Sequence, residues 1–274
     1  MTWAEAEPPA LPPPGAAERL RLAWRAPLAV LWLALCFAVF LACRGADLAA
    51  RRVARRRPPA LAPWLVLVWA RGALRLLGLR PVLRGAAMAH PGALVANHSS
   101  WLDIVTLQAA TRVFFVSKAE VAGWPVIGAI GRAIGTMFIE RRATEAKRQT
   151  AALHARLARG DRLAIFPEGT SSDGRQVLPF KTALFAVFLA PDLHDALWVQ
   201  PVTLRYAPRP GLPPTLYGWW GDMDFGSHLK MLLMRSTGGV VEVAFHPPLP
   251  AAAFPDRKPL AAAAEASVRS GAAS

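Results

Sequence analysis

Cysteine is almost missing from this chain: Cys36 and Cys43 are the only two in 274 residues. Both fall in one apolar run. Seven helical positions set them about 10 Å apart along the axis, beyond disulfide reach. A disulfide-framed scaffold is excluded, and two free thiols suit a reducing compartment. Acidic residues are scarce as well, 18 against 32 Lys plus Arg, which leaves a formal net charge of +14. That imbalance points to a polyanionic partner, either nucleic acid or an anionic membrane surface. A hydrophobic content of 54% favours the membrane. The sequence also lacks any G-x-S-x-G, so no serine nucleophile elbow is present. No internal repeat divides the chain. A metal site has poor support: Asp222, Asp224 and His228 stand beside Trp219-Trp220, a pair that reads as a membrane-facing loop.

What is present begins with a Pro- and Ala-rich start over residues 1–17, expected to be disordered. An uncharged run from Ala26 to Cys43 follows, bounded by Arg25 and Arg44. As a helix it would extend about 27 Å, enough to cross a bilayer core or to lie half-embedded in one leaflet. Arg44, Arg51, Arg52, Arg55, Arg56 and Arg57 lie downstream, against Arg19, Arg21 and Arg25 upstream. The heavier side should face the cytoplasm, which places the protein at the cell inner membrane with its catalytic region inside. Because these arginines abut the apolar run, they favour anionic headgroups over nucleic acid. Pro58, Pro59 and Pro63 then break the chain, and Trp64–Leu79 reads as a second, amphipathic helix. The resulting division is 1–57 for the anchor region, 58–80 for the second helix, 81–250 for a catalytic domain and 251–274 for a tail.

Beyond Pro81 strand and helix patterns alternate. Ala93–Asn97, Val113–Val116, Thr136–Ile139, Arg162–Phe166, Leu197–Leu204 and Val240–Phe245 read as strands. Helices are expected at Trp101–Ala110, at Glu120–Ile134 with a break at Pro125, at Thr144–Arg159 and at Thr182–Leu189. This is an α/β architecture with a largely parallel sheet flanked by helices. Such sheets place their chemistry at strand ends, and polar clusters fall there. Asn97-His98-Ser99-Ser100-Trp101-Leu102-Asp103 follows the first of these strands. On one continuous helix His98 and Asp103 would be about 140° apart. The pair therefore needs His98 in a turn and Asp103 on the first turn of the next helix. Asp103 can then accept one imidazole N–H and leave the other nitrogen as a base. Ser99 and Ser100 are N-cap candidates. Further clusters are Gly135-Thr136-Met137-Phe138-Ile139-Glu140-Arg141, Phe166-Pro167-Glu168-Gly169-Thr170 and Val199-Gln200-Pro201-Val202. Arg141 suits a phosphate or carboxylate. Lys118 and Lys181 are further cations within possible reach.

In this order the four blocks resemble the glycerolipid acyltransferase superfamily, and within it the lysophosphatidic acid acyltransferases, over roughly Val82 to Pro247. The resemblance implies transfer of a fatty acyl group from an acyl-carrier-protein or coenzyme A thioester to a free lyso-lipid hydroxyl, with no bound cofactor or metal. It implies His98 and Asp103 as the catalytic pair. Arg141, Glu168, Gly169 and Thr170 would bind the acceptor, with Lys181 assisting. Helix Val121–Ile134 is the expected wall of an acyl tunnel. Relatives that form phosphatidic acid usually carry an Arg after Glu-Gly-Thr, where this chain has Ser171. Lysophosphatidic acid is thus the first expectation for the acceptor, with lyso-ornithine lipid as the alternative or additional one. A non-catalytic anionic-lipid-binding protein is the competing class, and a lipid esterase would need a serine that the sequence does not supply.

Overall fold

The computed structural model describes residues 3–53, 61–139 and 146–273. Its helices are α1 (Ala16–Val53), α2 (Ala62–Leu76), α3 (Leu102–Ala110), α4 (Ala119–Ala122), α5 (Ile127–Ile134), α6 (Ala146–Ala158), α7 (Phe225–Arg235) and α8 (Arg257–Ala273). The strands are β1 (Leu79–Arg84), β2 (Gly92–Ala96), β3 (Phe114–Lys118), β4 (Met137–Ile139), β5 (Arg162–Ile165), β6 (Trp198–Ala207), β7 (Gly239–Phe245) and β8 (Leu249–Pro250). They form one sheet in the order β1-β7-β6-β2-β5-β3-β4, with β8 on β6. Pairing is parallel except for β6 with β7 and β6 with β8. The expected α/β class, with a largely parallel sheet and flanking helices, is the observed one.

The sheet is centred on β2, whose five residues are all buried. An unbroken apolar strand fits a position covered on both faces. Its side chains alternate: Ala93 and Val95 enter a core with α6 and α8, while Leu94 and Ala96 enter a core with Leu107 of α3. Gly92 opens the strand because a Cβ there would lie 1.9 Å from the Trp198 carbonyl oxygen. β2 therefore sits close against β6, and its carboxyl end emerges in mid-sheet.

Three segments differ from expectation. Residues 3–15 lie along the domain: Trp3 is buried edge-on against Trp220, 6.1 Å between ring centroids, and Trp220 Nε1 donates to the Ala6 carbonyl at 2.8 Å. Burial of two indoles offsets the ordering cost of a Pro- and Ala-rich start. For the same reason Trp220 is no membrane-facing residue, being 2% exposed. The stretch expected as a tail carries α8, whose Leu260, Ala261, Ala264 and Val268 join the core beside β2. Thr182–Leu189 is a 3-10 helix rather than an α-helix.

α1 is long and apolar enough to cross a membrane, and only 11% of its apolar window is buried. At its start Arg25 donates to the Leu233 and Ser236 carbonyls at 3.2 and 2.7 Å, at the end of α7. Further on, Trp32 Nε1 donates to Trp69 O of α2 at 3.0 Å, and Arg44 donates to Ala133 O of α5 at 2.5 Å. Leu28, Leu31, Leu35 and Val39 are exposed along one face of α1, and Leu61, Trp64 and Val68 are exposed on or beside α2. Exposed apolar residues at helical spacing mark a membrane or partner contact. Leu31 and Leu35 are 62% and 55% exposed. Replacing both by Asp is expected to cut flotation with phosphatidylcholine liposomes by at least about a hundredfold, the scale of two lost leucine burials at about 1.5 kcal/mol each. Thermal unfolding in detergent should stay close to that of the parent chain. Unchanged flotation would mean that this face does not enter the bilayer.

Candidate active site

The chain leaves β2 through Asn97, whose side chain takes over the ladder. Asn97 Nδ2 donates to Leu204 O at 2.9 Å, and Leu204 N donates back to Asn97 Oδ1 at 2.8 Å. His98 follows in the turn. Its backbone is gripped from the Phe166–Thr170 block: His98 N donates to Glu168 Oε1 at 2.9 Å, and Ser172 N donates to His98 O at 3.0 Å. The imidazole stacks on Phe166, 4.2 Å between centroids and 15° between planes. A backbone held on both sides and a ring stacked on a third residue leave the imidazole one orientation.

That orientation points Nδ1 at Asp103. His98 Nδ1 lies 2.8 Å from Asp103 Oδ2. The same oxygen accepts from Ser99 N at 2.7 Å and Ser100 N at 2.9 Å, while Tyr206 OH donates to Oδ1 at 2.8 Å. Asp103 is fully buried, and a carboxylate without solvent needs this many donors. A carboxylate only accepts, so Nδ1 carries the proton and Nε2 keeps its lone pair. The His98 side chain retains 19% exposure. The roles expected at the helix start are reversed in part. Ser100 Oγ does accept from Leu102 N at 3.3 Å, but the Ser99 and Ser100 amides are themselves bound by the Asp103 carboxylate.

The other expected residues divide. Glu168 reaches the pair through the His98 backbone. It is 2% exposed, and its Oε2 is buried without a partner. Gly169 takes a left-handed φ of 71°, which carries the chain around the turn after β5. Thr170 Oγ1 accepts the Trp3 amide at 3.3 Å, so it faces the N-terminal segment. Ser171 is buried. Lys181 is exposed, and its amide donates to Pro167 O at 2.9 Å, closing the same turn. Arg141 lies outside the described residues. The expected tunnel wall is two short helices, α4 and α5, separated by Val126 at a φ of 63°. Gly135 ends α5 in the left-handed region, so its glycine serves a helix stop. Gly131 packs under Phe138, where a Cβ would meet the ring at 2.8 Å.

Tyr206 escaped the sequence reading. The strand was expected to stop at Leu204, whereas β6 continues to Ala207 and puts Tyr206 on the face shared with Leu204. One signal was available: the chain has only 2 tyrosines. Thr106 Oγ1, 3.0 Å from Tyr206 OH, fixes the phenol further. The Asp222, Asp224 and His228 cluster is structural. Asp224 caps α7 through Ser227 N at 2.8 Å, and His228 Nδ1 accepts from Trp101 Nε1 at 2.9 Å. Burial lowers the His228 pKa to about 4, so that ring is neutral.

An imidazole oriented by a buried carboxylate, at the carboxyl end of the central strand of a mostly parallel sheet, defines an α/β protein with a His–Asp pair, and the same chain carries a long apolar helix. Among the described residues no hydroxyl bonds to the imidazole Nε2. Comparison with known proteins narrows the class. The Acyltransferase family model matches residues 78–205. A lyso-ornithine lipid O-acyltransferase of Rhodobacter capsulatus is 49% identical over 269 residues, 98% of this chain and 96% of that one. A 1-acyl-sn-glycerol-3-phosphate acyltransferase of Neisseria gonorrhoeae is 40% identical over 123 residues, 44% of this chain and 48% of that one. The crystal structure of the 1-acyl-sn-glycerophosphate acyltransferase PlsC of Thermotoga maritima superposes with a TM-score of 0.65 at 20% identity, over 93% of this chain and 96% of that one. The chain belongs to the acyltransferase family.

Glu168 generates a pH prediction. Burial is the largest influence and pushes its carboxyl from 4.5 up to about 8, against the hydrogen bonds from the His98 and Leu178 amides. The folded state therefore holds a proton that the unfolded chain releases near 4.5. Glu168 then costs stability as pH rises from about 4.5 to 8, at up to about 1.4 kcal/mol per pH unit. Glu168→Gln should unfold at nearly the same temperature as the parent at pH 5 and at a higher temperature by pH 8. A difference that does not vary with pH would show that Glu168 is ionised throughout.

Proposed function

We propose that the chain transfers a fatty acyl group from a thioester to the free hydroxyl of a lyso-lipid, with His98 as general base. The observation that carries this reading is the 2.8 Å contact between His98 Nδ1 and Asp103, which leaves Nε2 open. A lipid hydroxyl is a weak nucleophile at neutral pH and needs its proton taken as it attacks. Nε2 accepts that proton, the hydroxyl oxygen bonds to the thioester carbonyl carbon, and the C–S bond breaks. The imidazolium, stabilised by Asp103, returns the proton to the departing thiolate. No acyl-enzyme is required. Glu168, with Oε2 buried and unpartnered, is the side chain we assign to a hydroxyl or carbonyl oxygen of the acceptor lipid, to which a protonated carboxyl can donate. Gly169 shapes the turn that carries it. Arg141, Thr170 and Lys181 complete the acceptor-binding set carried over from the family motifs. The thioester is carried by acyl-carrier protein or coenzyme A.

For the acceptor, lyso-ornithine lipid now stands first. It is named in a relative that matches nearly end to end, that of Rhodobacter capsulatus at 49% identity, and in that of Brucella abortus at 41% identity over 71% of this chain. The sequence expectation put lysophosphatidic acid first. It stays as the second reading, supported by 40% identity to 1-acyl-sn-glycerol-3-phosphate acyltransferases over 123 residues. For location we propose the cytoplasmic face of the inner membrane. The Arg-rich flank of α1 supports this side. Contacts near both ends of α1, Arg25 with α7 and Arg44 with α5, support a helix half-embedded along the domain.

His98→Ala should lower turnover by at least about 10²–10⁴-fold while leaving the fold and liposome binding intact. Asp103→Asn should be similarly impaired, since an amide permits the wrong tautomer. Labelled acyl thioester and single-turnover kinetics measure both, and near-normal rates for His98→Ala would refute the mechanism. For the acceptor, lyso-ornithine lipid and lysophosphatidic acid compete in mixed micelles. The expected product is mainly ornithine lipid; phosphatidic acid as the main product would reverse the order.

A further inference from the structure

A cavity of about 390 Å³ opens between α1, α2 and the edge of the domain. It lies far from His98 in the plan of the sheet. His98 follows the carboxyl end of β2, whereas the cavity is bordered by Phe114 and Arg162, the first residues of the parallel strands β3 and β5. Three guanidinium groups line it: Arg44 from α1, Arg112 before β3 and Arg162. Phe40, Val66 and Phe114 supply apolar wall.

The two carboxylates in the cavity are engaged elsewhere. Asp161 is bridged to Arg156 at 2.6 Å. Asp47 caps α2, accepting Leu61 N at 3.0 Å and Ala62 N at 3.1 Å. The arginines instead meet neutral groups. Arg44 donates to Ala133 O at 2.5 Å, Arg162 donates to Met88 O at 2.6 Å, and Arg112 lies over the Trp64 ring at 4.5 Å. Arg162 is disfavoured as a cation by burial first and by the charge of Arg112 second. Like charges facing one another across a half-enclosed space form a site that an anion relieves.

The rim says which anion. Leu48, Leu61, Trp64 and Val68 are all exposed around the same end of the α1–α2 pair. Trp64 thus joins an outward apolar surface to the Arg112 cation, the arrangement of a residue at a lipid headgroup boundary. We infer that this cavity is a binding site for the phosphate of an anionic membrane phospholipid, separate from the catalytic site, which seats the helical pair at the bilayer surface.

The test is equilibrium binding of the full chain to vesicles of phosphatidylcholine alone and of phosphatidylcholine with phosphatidylglycerol. The variants are Arg112→Gln with Arg162→Gln, and a control with equal charge loss, Arg209→Gln with Arg257→Gln, on exposed positions elsewhere. The cavity pair is expected to lose about tenfold in affinity for the anionic vesicles, in line with two phosphate contacts. It should bind the neutral vesicles as the parent does. The control should lose less than threefold. Equal losses in both pairs would reduce the effect to overall charge and overturn the site. Inorganic phosphate is a separate arm: if it raises the melting temperature of the parent only, and vesicle binding is the same in all variants, the site takes free phosphate and the lipid assignment fails. Should the Gln pair not fold, Arg112→Lys and Arg162→Lys replace it. Loss of the planar fork should weaken anionic-vesicle binding several-fold, and no loss would overturn the proposal.

Discussion

A single buried carboxylate organises the carboxyl end of the central strand and the loops around it. Asp103 has no exposure, and an isolated carboxylate in that setting would not stay charged. Its environment supplies two backbone amides, an imidazole N–H and a phenol. Each donor comes from a part of the chain that must be in place first. The Ser99 and Ser100 amides require the turn after β2, and that turn depends on Asn97 bridging to Leu204. The phenol requires β6 to run on past Leu204. Satisfying one charge therefore couples the central strand, its neighbour and the helix that follows.

The second constraint is the tight seam between β2 and β6 at Gly92 and Trp198. On the other side of β2, the parallel register with β5, Val95 beside Ile165, brings their carboxyl ends level, so the loops after β2 and β5 meet. From the β5 loop Glu168 holds the His98 amide, Ser172 holds its carbonyl, and Phe166 stacks on its ring. The imidazole is thus oriented by three kinds of contact from one loop, plus the charge of Asp103. Such support keeps the imidazole aligned without a large local rearrangement.

Two membrane-related features share α1 but rest on different physics. Its outward leucines supply apolar area, which depends little on lipid charge. The arginines near its carboxyl-terminal half supply charge, which is screened by salt and selective for anionic surfaces. Arg25, by contrast, is turned inward onto the end of α7, where free carbonyls and the negative end of a helix dipole favour a guanidinium. Arginines that look alike in the sequence therefore differ in place: Arg21 and Arg25 close onto the end of α7, whereas Arg44 lines the cavity beside α5.

Much of the architecture was legible in the residues. Ala93–Ala96 had to be a buried strand because four apolar residues ended in a polar cluster. The spacing of His98 and Asp103 required a turn followed by a helix. The apolar run from Ala26 to Cys43 required a long helix with a lipid-like surround, and the family motifs added Glu168. Other features depended on partners remote in sequence. Tyr206 reaches Asp103 across 103 positions, Glu168 reaches His98 across 70, and Trp3 reaches Thr170 across 167. Local pattern reports which face a residue prefers and where a helix or strand can start. It carries no term for which distant donor will meet a buried acceptor, since that follows from strand order and register. Sequence alone therefore determined the strand, the turn and the pairing of His98 with Asp103. The register of β6, the docking of residues 3–15 and the meeting of Arg44, Arg112 and Arg162 around one cavity were decided only when the sheet closed, because each depends on backbone positions set by elements far along the chain.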